Sequence, residues 1–176
     1  MTRMRSLRSA SIQTRLIVIV LLFAIGVAAL AALASARMEG RILTERKHAT
    51  KSVVETALGV VSYYGAEQEA GRMSEEDAQA AALAAVEQLR YSGTEYFWIN
   101  DMGPTMIMHP VKPELDGSDL SGTEDPDGKK LFVDMVKVVQ DKGAGFVEYQ
   151  WPKPGAEEPQ PKVSYVAGYE PWGWVI

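Results

Sequence analysis

A long uncharged apolar stretch near the N-terminus constrains this chain more than any other feature. From Leu16 to Ala36 the sequence runs for 21 residues without a charge, and most of them are Leu, Ile, Val or Ala. A helix of that length is about 32 Å long, which matches the hydrocarbon thickness of a bilayer. The pattern therefore predicts a transmembrane helix over residues 16–36.

The charges around this stretch predict its orientation. Residues 1–15 contain no acidic side chain and four basic ones, Arg3, Arg5, Arg8 and Arg15. Because flanking basic residues stay in the cytoplasm, we expect 1–15 to be cytoplasmic and 37–176 to lie outside the plasma membrane. Ala34-Ser35-Ala36 leaves a cleavable signal peptide as the alternative, but the apolar run exceeds the 7–15 residues usual for one.

Composition excludes several classes of function for the part of the chain after this helix. Residues 37–176 carry 14 basic and 23 acidic side chains, which argues against a nucleic-acid binder. The absence of cysteine excludes disulfides, thiolate metal sites and a cysteine nucleophile. No nucleophile, metal-ligand set or phosphate-binding loop stands out, so we expect no catalysis, no cofactor and no bound metal.

Three segments of residues 37–176 have helical periodicity. The predicted helices are 37–70, Ser74 to about Arg90, and Lys129–Lys142. In the first, the four-residue spacing of Val53, Ala57 and Val61 gives one apolar stripe, and the helix is expected to continue the membrane span. Three acids after Ser74 are typical of a capped helix start, and Gly143 of a helix end.

Five further segments have the composition of strands. They are Tyr96–Asn100, Thr105–His109, Gly145–Trp151, Lys162–Tyr169 and Trp172–Ile176. The simplest arrangement is one α+β domain, with a five-stranded antiparallel sheet and the long helix packed on one face. We expect the other face to be covered only by the 110–128 loop and the 152–161 turn, where a small cavity can form.

Six blocks of sequence stand in an order and spacing found together in one protein family. The blocks are Tyr96–Asp101, Met108–Pro110, Gly128–Phe132, Gly143–Gly155, Pro161–Val166 and Pro171–Ile176. They resemble the single Cache domain, a PAS-like extracytoplasmic sensor module of bacterial methyl-accepting chemotaxis receptors in the inner membrane. The resemblance implies a PAS-like fold and non-catalytic sensing of a small organic ligand, often a short carboxylate such as acetate, propionate, pyruvate or lactate.

The same resemblance carries expectations about the rest of the receptor. It implies a homodimer, a second membrane span and a cytoplasmic signalling region, so we expect the sensor domain of 37–176 to be truncated at its C-terminal end. The sensor module also occurs on histidine kinases and diguanylate cyclases, which stay open as alternatives. A secreted hydrolase with a cleaved leader is the remote alternative.

Strand alternation selects the first candidate ligand-binding residues. It places Tyr96, Trp98 and Asn100 on one face of their strand and Phe97 and Ile99 on the other. The first group offers an aromatic wall and an amide for a small polar ligand, and the second suits the helix-packed core. Trp98 as plain core filler and Asn100 as a turn residue are the structural alternatives.

Polar groups on neighbouring segments complete the candidate set. They are His109, Lys162, Tyr149, Tyr165, Arg90 and Tyr91. Lys162 is a counter-charge for a carboxylate, and its match to a family block balances the usual expectation of a solvated lysine. His109 is a donor whose charge is expected to respond to periplasmic pH, unless it is a surface residue. Arg90 ranks below Lys162 because it also suits a helix C-terminus.

Overall fold

The structure, a computed structural model, describes residues 11–152 and 155–176, without the side chains of residues 34 and 36–43. Residues 1–10 of the predicted basic segment 1–15 and residues 153–154 of the predicted 152–161 turn lie outside the described residues. The chain divides after Arg46 into two compact units, and the second comprises Lys47–Ile176. The candidate site lies entirely within this second unit.

Three α-helices agree with the helical periodicity of the sequence. They are α1 (Ile12–Glu69), α2 (Glu75–Gln88) and α3 (Leu131–Lys142). Within α1, the segment Ile12–Leu33 is long and apolar enough to cross a membrane, with a mean hydropathy of 3.1. Ser74 caps α2 by accepting a hydrogen bond from the Asp77 N–H, and Gly143 ends α3 at a φ of 76°.

The predicted five-stranded antiparallel sheet is confirmed, and a small extra hairpin precedes it. The strands are β1 (Arg90–Tyr91), β2 (Glu95–Tyr96), β3 (Ile99–Asp101), β4 (Met106–Met108), β5 (Ala144–Pro152), β6 (Pro159–Tyr169) and β7 (Trp174–Val175). The main sheet has the order β4-β3-β7-β6-β5, and β1 and β2 pair separately. The predicted strand over Tyr96–Asn100 is therefore interrupted at Phe97 and Trp98.

One face of the sheet packs against α1 and α2. The buried side chains of this core are Val54, Ala57, Val61, Ala82, Val86, Phe97, Ile99, Met108, Ala167, Trp174 and Ile176. The alanines of α2 bring its backbone close to its neighbours because they carry no more than a methyl group. Phe97 and Ile99 both lie in this core, which confirms the face that alternation assigned to them.

The opposite face of the sheet is covered by α3, and the expectation that only loops cover it was wrong. A second core joins α3 to the sheet through Leu131, Phe132, Met135, Val136, Val139, Val147, Tyr149, Val166 and Val175, together with Met106 and Leu120. Sequence periodicity identified the apolar stripe of α3 but not the surface that the stripe covers. A helix with five buried apolar residues needs such a surface.

A buried aspartate ties the end of the segment between β4 and α3 to the edge strand β5. Asp125 Oδ1 accepts hydrogen bonds from the N–H groups of Asp127 and Lys129 at 3.0 and 2.9 Å. Its Oδ2 accepts from the Gln150 N–H at 3.0 Å, and these bonds lower the pKa of Asp125. Among the residues that the structure describes, no group of three or more acidic or histidine side chains is arranged to hold a metal.

Candidate ligand-binding site

An aromatic cavity lies between the interrupted strand, β5 and α3. It is lined by Tyr96, Trp98, His109, Leu131, Phe132, Met135, Tyr149 and Trp151. Four of these, Tyr96, Trp98, His109 and Tyr149, are candidates that the sequence predicted. The free volume is about 10 Å³, roughly the space that one water molecule needs. A larger ligand therefore requires the wall side chains to move.

Local structure explains why these side chains converge. Tyr149 and Trp151 are two residues apart on β5, so both point to the α3 side of the sheet. Trp98 lies between the end of β2 and the start of β3, so its backbone is not part of a strand. The indole N–H of Trp98 instead donates to Asn100 Oδ1 at 3.1 Å, which orients the ring.

His109 presents a hydrogen-bond donor to this cavity. Its Nδ1 accepts hydrogen bonds from the N–H groups of Lys112 at 2.9 Å and Val111 at 3.3 Å. Because Nδ1 is the acceptor, the imidazole proton is placed on Nε2, which lies 3.4 Å from the Tyr96 hydroxyl. The His109 ring is almost completely buried, with its centroid 5.0 Å from that of Tyr96.

Burial also sets the charge of His109. Loss of solvent lowers the pKa of His109 to about 4, and the positive charges of Lys112 and Lys162 act in the same direction. The imidazole is therefore neutral at periplasmic pH, and the expectation that its charge responds to periplasmic pH was wrong. Neutral His109 still carries a donor at Nε2, so it can donate to an acceptor atom without being protonated.

This geometry predicts the behaviour of His109 in solution. In the ligand-free protein its imidazole is expected to remain neutral, with the proton on Nε2, from about pH 8 to about pH 5. Because the pKa falls from 6.5 in the unfolded chain to about 4 in the fold, its contribution to stability is complete above pH 6.5 and is lost as pH falls through 4. Long-range ¹H–¹⁵N spectra of the two imidazoles measure the tautomer directly.

The other histidine provides the internal reference for that experiment. His48 is exposed on α1, so a His48→Gln variant assigns the two sets of signals. A His109→Gln variant is expected to lose part of the acid sensitivity of the urea midpoint between pH 6.5 and 4. A protonated His109 imidazole at pH 6, or an Nδ1–H tautomer, contradicts the prediction.

The two cavity tyrosines are also held as neutral donors. Burial raises the pKa of Tyr149 and that of Tyr96, so both phenols keep their protons at neutral pH. The Tyr149 hydroxyl shares a hydrogen bond of 2.9 Å with Ser164 Oγ on β6. The polar lining of the cavity is thus a set of N–H and O–H groups, which suits a ligand with oxygen acceptors.

Lys162 lies beside this lining, directly opposite Tyr149 in the β5–β6 ladder. Its side chain is only 12% exposed. The Nζ atom is 5.4 Å from the centroid of the Tyr96 ring and 3.5 Å from Glu95 Oε2. A positive charge with so little solvent contact attracts an anion more strongly than a solvated lysine does.

Two candidates are occupied by contacts within the protein. Asn100 is completely buried on β3, where its Oδ1 accepts from Trp98 and its Nδ2 donates to the Asp101 carbonyl at 2.9 Å. It holds Trp98 in place and does not line the cavity. Arg90 is exposed, and its Nη1 donates to the Glu87 and Leu89 carbonyls at 2.6 and 2.8 Å, which fits the helix-terminus alternative.

The remaining two candidates, Tyr91 and Tyr165, lie at a second cavity on the α1 side of the sheet. Its free volume is also about 10 Å³, and it is lined by Thr50, Val54, Tyr91, Tyr96, Phe97, Trp98, Ser164, Tyr165 and Ile176. Burial raises the pKa of Tyr91 to about 12. Tyr96 and Trp98 line both cavities, so movement of these two side chains changes the space on both sides.

Sequence reasoning missed the part of the wall that comes from Trp151 and α3. Trp151 shares the alternation of Tyr149, so the strand pattern contained a signal for it. Its ring meets Phe132 edge-on at 5.9 Å, and Lys112 Nζ lies 4.7 Å from its centroid. Met135 and the other α3 residues had no comparable signal, because the face covered by α3 depends on tertiary packing.

Comparison with known proteins places this fold in a family. The sequence profile described as single Cache domain 2 matches residues 42–176. The chain belongs to the single Cache domain 2 family. This confirms the resemblance carried by the six sequence blocks, and the Cache domain comprises the described sheet, α2, α3 and the second half of α1.

Individual relatives agree with this assignment. The chain is 46% identical over 173 residues to the methyl-accepting chemotaxis protein McpP of Pseudomonas putida, covering 98% of this chain and 32% of that protein. The chain thus spans about a third of the length of this curated relative. A solved periplasmic sensor domain of a chemotaxis protein is 52% identical with a TM-score of 0.76, over 77% of this chain and 94% of that one.

A second solved structure bears on ligand chemistry. It was described in a study of carboxylic acid recognition by a Cache chemosensory domain. It is 49% identical to this chain, with a TM-score of 0.74, over 76% of this chain and 91% of that structure. At this level of identity the two chains share sequence as well as fold.

Proposed function

We propose that this Cache domain is the extracytoplasmic sensor of a bacterial chemoreceptor and that its ligand is a short-chain carboxylate. The observation that carries the proposal is the cavity itself, which is lined by His109 and two neutral phenols, with the Lys162 ammonium beside it at 5.4 Å from the centroid of the Tyr96 ring. Donors and one cation are the groups that a carboxylate requires. The similarity to the Cache domain solved in a study of carboxylic acid recognition supports the same class of ligand.

The proposal includes the position of the domain in the cell. Residues 1–15 are cytoplasmic, the apolar part of α1 spans the inner membrane, and residues 37–176 are periplasmic. The apolar segment Ile12–Leu33 and the arginines before residue 16 support this orientation. A homodimer, a second span and a cytoplasmic signalling region without catalytic activity complete the proposed receptor.

Signal transmission follows from the strand order. Strand β7 lies between β3 and β6, and Val175 is paired with both Asn100 and Gly168. Asn100 holds Trp98, and β6 carries Lys162, so a ligand that moves either residue displaces a neighbour of β7. Switching can be no stronger than the difference in ligand affinity between the two states.

Thermal unfolding with matched ligands tests this function. The chain of residues 1–176 in lipid nanodiscs is melted with acetate, propionate, pyruvate or lactate, and in parallel with acetamide or propionamide. A ligand present at 100 times its Kd is expected to stabilise the fold by about 2.7 kcal/mol. The neutral amides have no charge to pair with Lys162 and are expected to give no shift. If no carboxylate raises the melting temperature, the proposed function is wrong.

A further inference from the structure

The Lys162 ammonium already has an internal partner in the ligand-free domain. Glu95 Oε2 lies 3.5 Å from Lys162 Nζ, and the side chains are 30% and 12% exposed. A cation with so little solvent contact needs a nearby negative charge, and Glu95 fills this role. A ligand carboxylate that approaches the same Nζ therefore meets a carboxylate that is already there.

The charge of Glu95 also reaches the cavity wall. It contributes to the raised pKa of Tyr91, Tyr96 and Tyr149, which places a negative field on the side of the cavity nearest to Lys162. Two carboxylates that share one ammonium repel each other at close range. Binding of an anion at Lys162 is thus coupled to displacement of Glu95.

The backbone that carries Glu95 is suited to such a displacement. Glu95 lies in β2, a strand of two residues whose only recorded strand partner is β1, also of two residues. The turn between them holds Ser92 at a φ of 47° and Gly93 at 90°, and a non-glycine residue in this region is strained. Pairing of two residues with two adds little stability by itself, so Glu95 is held mainly by its ion pair with Lys162 and by the packing of Tyr91 and Tyr96 on either side of the turn.

We propose that Glu95 is an internal competitor that a ligand carboxylate replaces at Lys162, so that Glu95 sets the concentration at which the sensor responds. This inference rests on the proposed function, because it takes Lys162 as the carboxylate-binding group. When Glu95 leaves Lys162, the β1–β2 hairpin loses its ion pair to β6. The hairpin then moves with the adjoining Tyr96–Trp98 segment, which lines both cavities.

Charge removal at Glu95 tests the inference. The Glu95→Gln variant keeps the length of the side chain and removes its charge, so its affinity for propionate is expected to rise roughly three- to tenfold. Glu95→Ala, which removes the carboxylate together with its stem, is expected to show the same gain. Propionate titration by calorimetry on the 1–176 chain in nanodiscs measures both.

A matched variant and a double mutant separate this effect from general electrostatics. Glu148 is an exposed carboxylate that forms an ion pair with Lys47 at 2.9 Å, and Glu148→Gln is expected to leave propionate affinity unchanged. In a Lys162→Ala background, Glu95→Gln is expected to give no gain.

The outcomes distinguish this inference from the function on which it rests. The competitor role is overturned if Glu95→Gln and Glu95→Ala bind propionate no more tightly than the wild type, while binding by the wild type depends on Lys162. The proposed function then stays in place. A gain that persists without Lys162 also overturns it. Absence of carboxylate binding by the wild type and both variants overturns the proposed function itself.

Discussion

Replacement of Lys162 by alanine is expected to weaken propionate binding by about 10- to 100-fold. A hydrogen bond to a charged group contributes about 1.5–3 kcal/mol, and each 1.4 kcal/mol is a factor of ten in affinity. Among the described residues, Lys162 is the only cation that both lies against the ring of a tyrosine lining this cavity and lowers the pKa of His109. Lys112 is the other lysine near this wall, but its Nζ lies 4.7 Å from the centroid of the Trp151 ring rather than against a tyrosine.

The control for this prediction is an exposed lysine on the same unit. Lys137 lies on the solvent side of α3, and Lys137→Ala is expected to bind propionate as the wild type does. The free energy of unfolding of Lys162→Ala without ligand is expected to stay within about 2 kcal/mol of the wild type, because Glu95 is partly exposed and can be hydrated. Isothermal titration and urea unfolding give the two quantities. Collapse of the ligand-free fold contradicts the prediction and makes Lys162 a structural residue.

Much of the fold could be predicted from the sequence because it depends on local patterns. The apolar stripe of α1, the Ser74 cap of α2 and the Gly143 end of α3 are local signals, and all three are present in the structure. The β1–β2 hairpin was missed because strands of two residues have no period to detect. The expectation that only loops cover the second face of the sheet was wrong, because an apolar stripe predicts that a helix is covered but not by which surface.

The candidate site could be predicted in part for the same reason. Alternation placed Tyr96 and Trp98 together, whereas their position next to His109 and Tyr149 depends on the sheet order, which only the structure provides. The charge of His109 could not be predicted, because its low pKa results from burial by residues distant in sequence. The amide of Asn100 was offered to the ligand, whereas the structure uses it to orient the Trp98 indole.

Glu95 shows the limit of sequence reasoning most clearly. A glutamate next to a predicted strand is usually solvated, and nothing in the order of residues connects it with Lys162, 67 positions later. The connection arises because β2 and β6 meet beside the cavity. Ion pairs between segments that are distant in sequence can therefore be identified only from the fold, and the proposed role of Glu95 rests on one of them.

Truncation of Phe97 to alanine is expected to lower the free energy of unfolding by about 3–5 kcal/mol. Phe97 is 6% exposed and packs in the core with α1 and α2, where its ring lies 5.2 Å from that of Tyr91. The loss is a large part of the 5–15 kcal/mol that typically holds a domain together. Urea unfolding of the 1–176 chain in nanodiscs, followed by fluorescence and circular dichroism, measures it.

The adjacent residue supplies the contrast that makes this prediction specific. Trp98 is half-buried at the cavity wall, so Trp98→Ala is expected to cost less stability than Phe97→Ala although it removes a larger side chain. It is expected to weaken propionate binding instead, because the wall between the two cavities is lost. The assignment of the two faces is contradicted by the reverse pattern. In that pattern Trp98→Ala unfolds the domain, and Phe97→Ala abolishes propionate binding without loss of stability. Two successive residues thus separate the core that holds the Cache domain together from the wall of the proposed binding site.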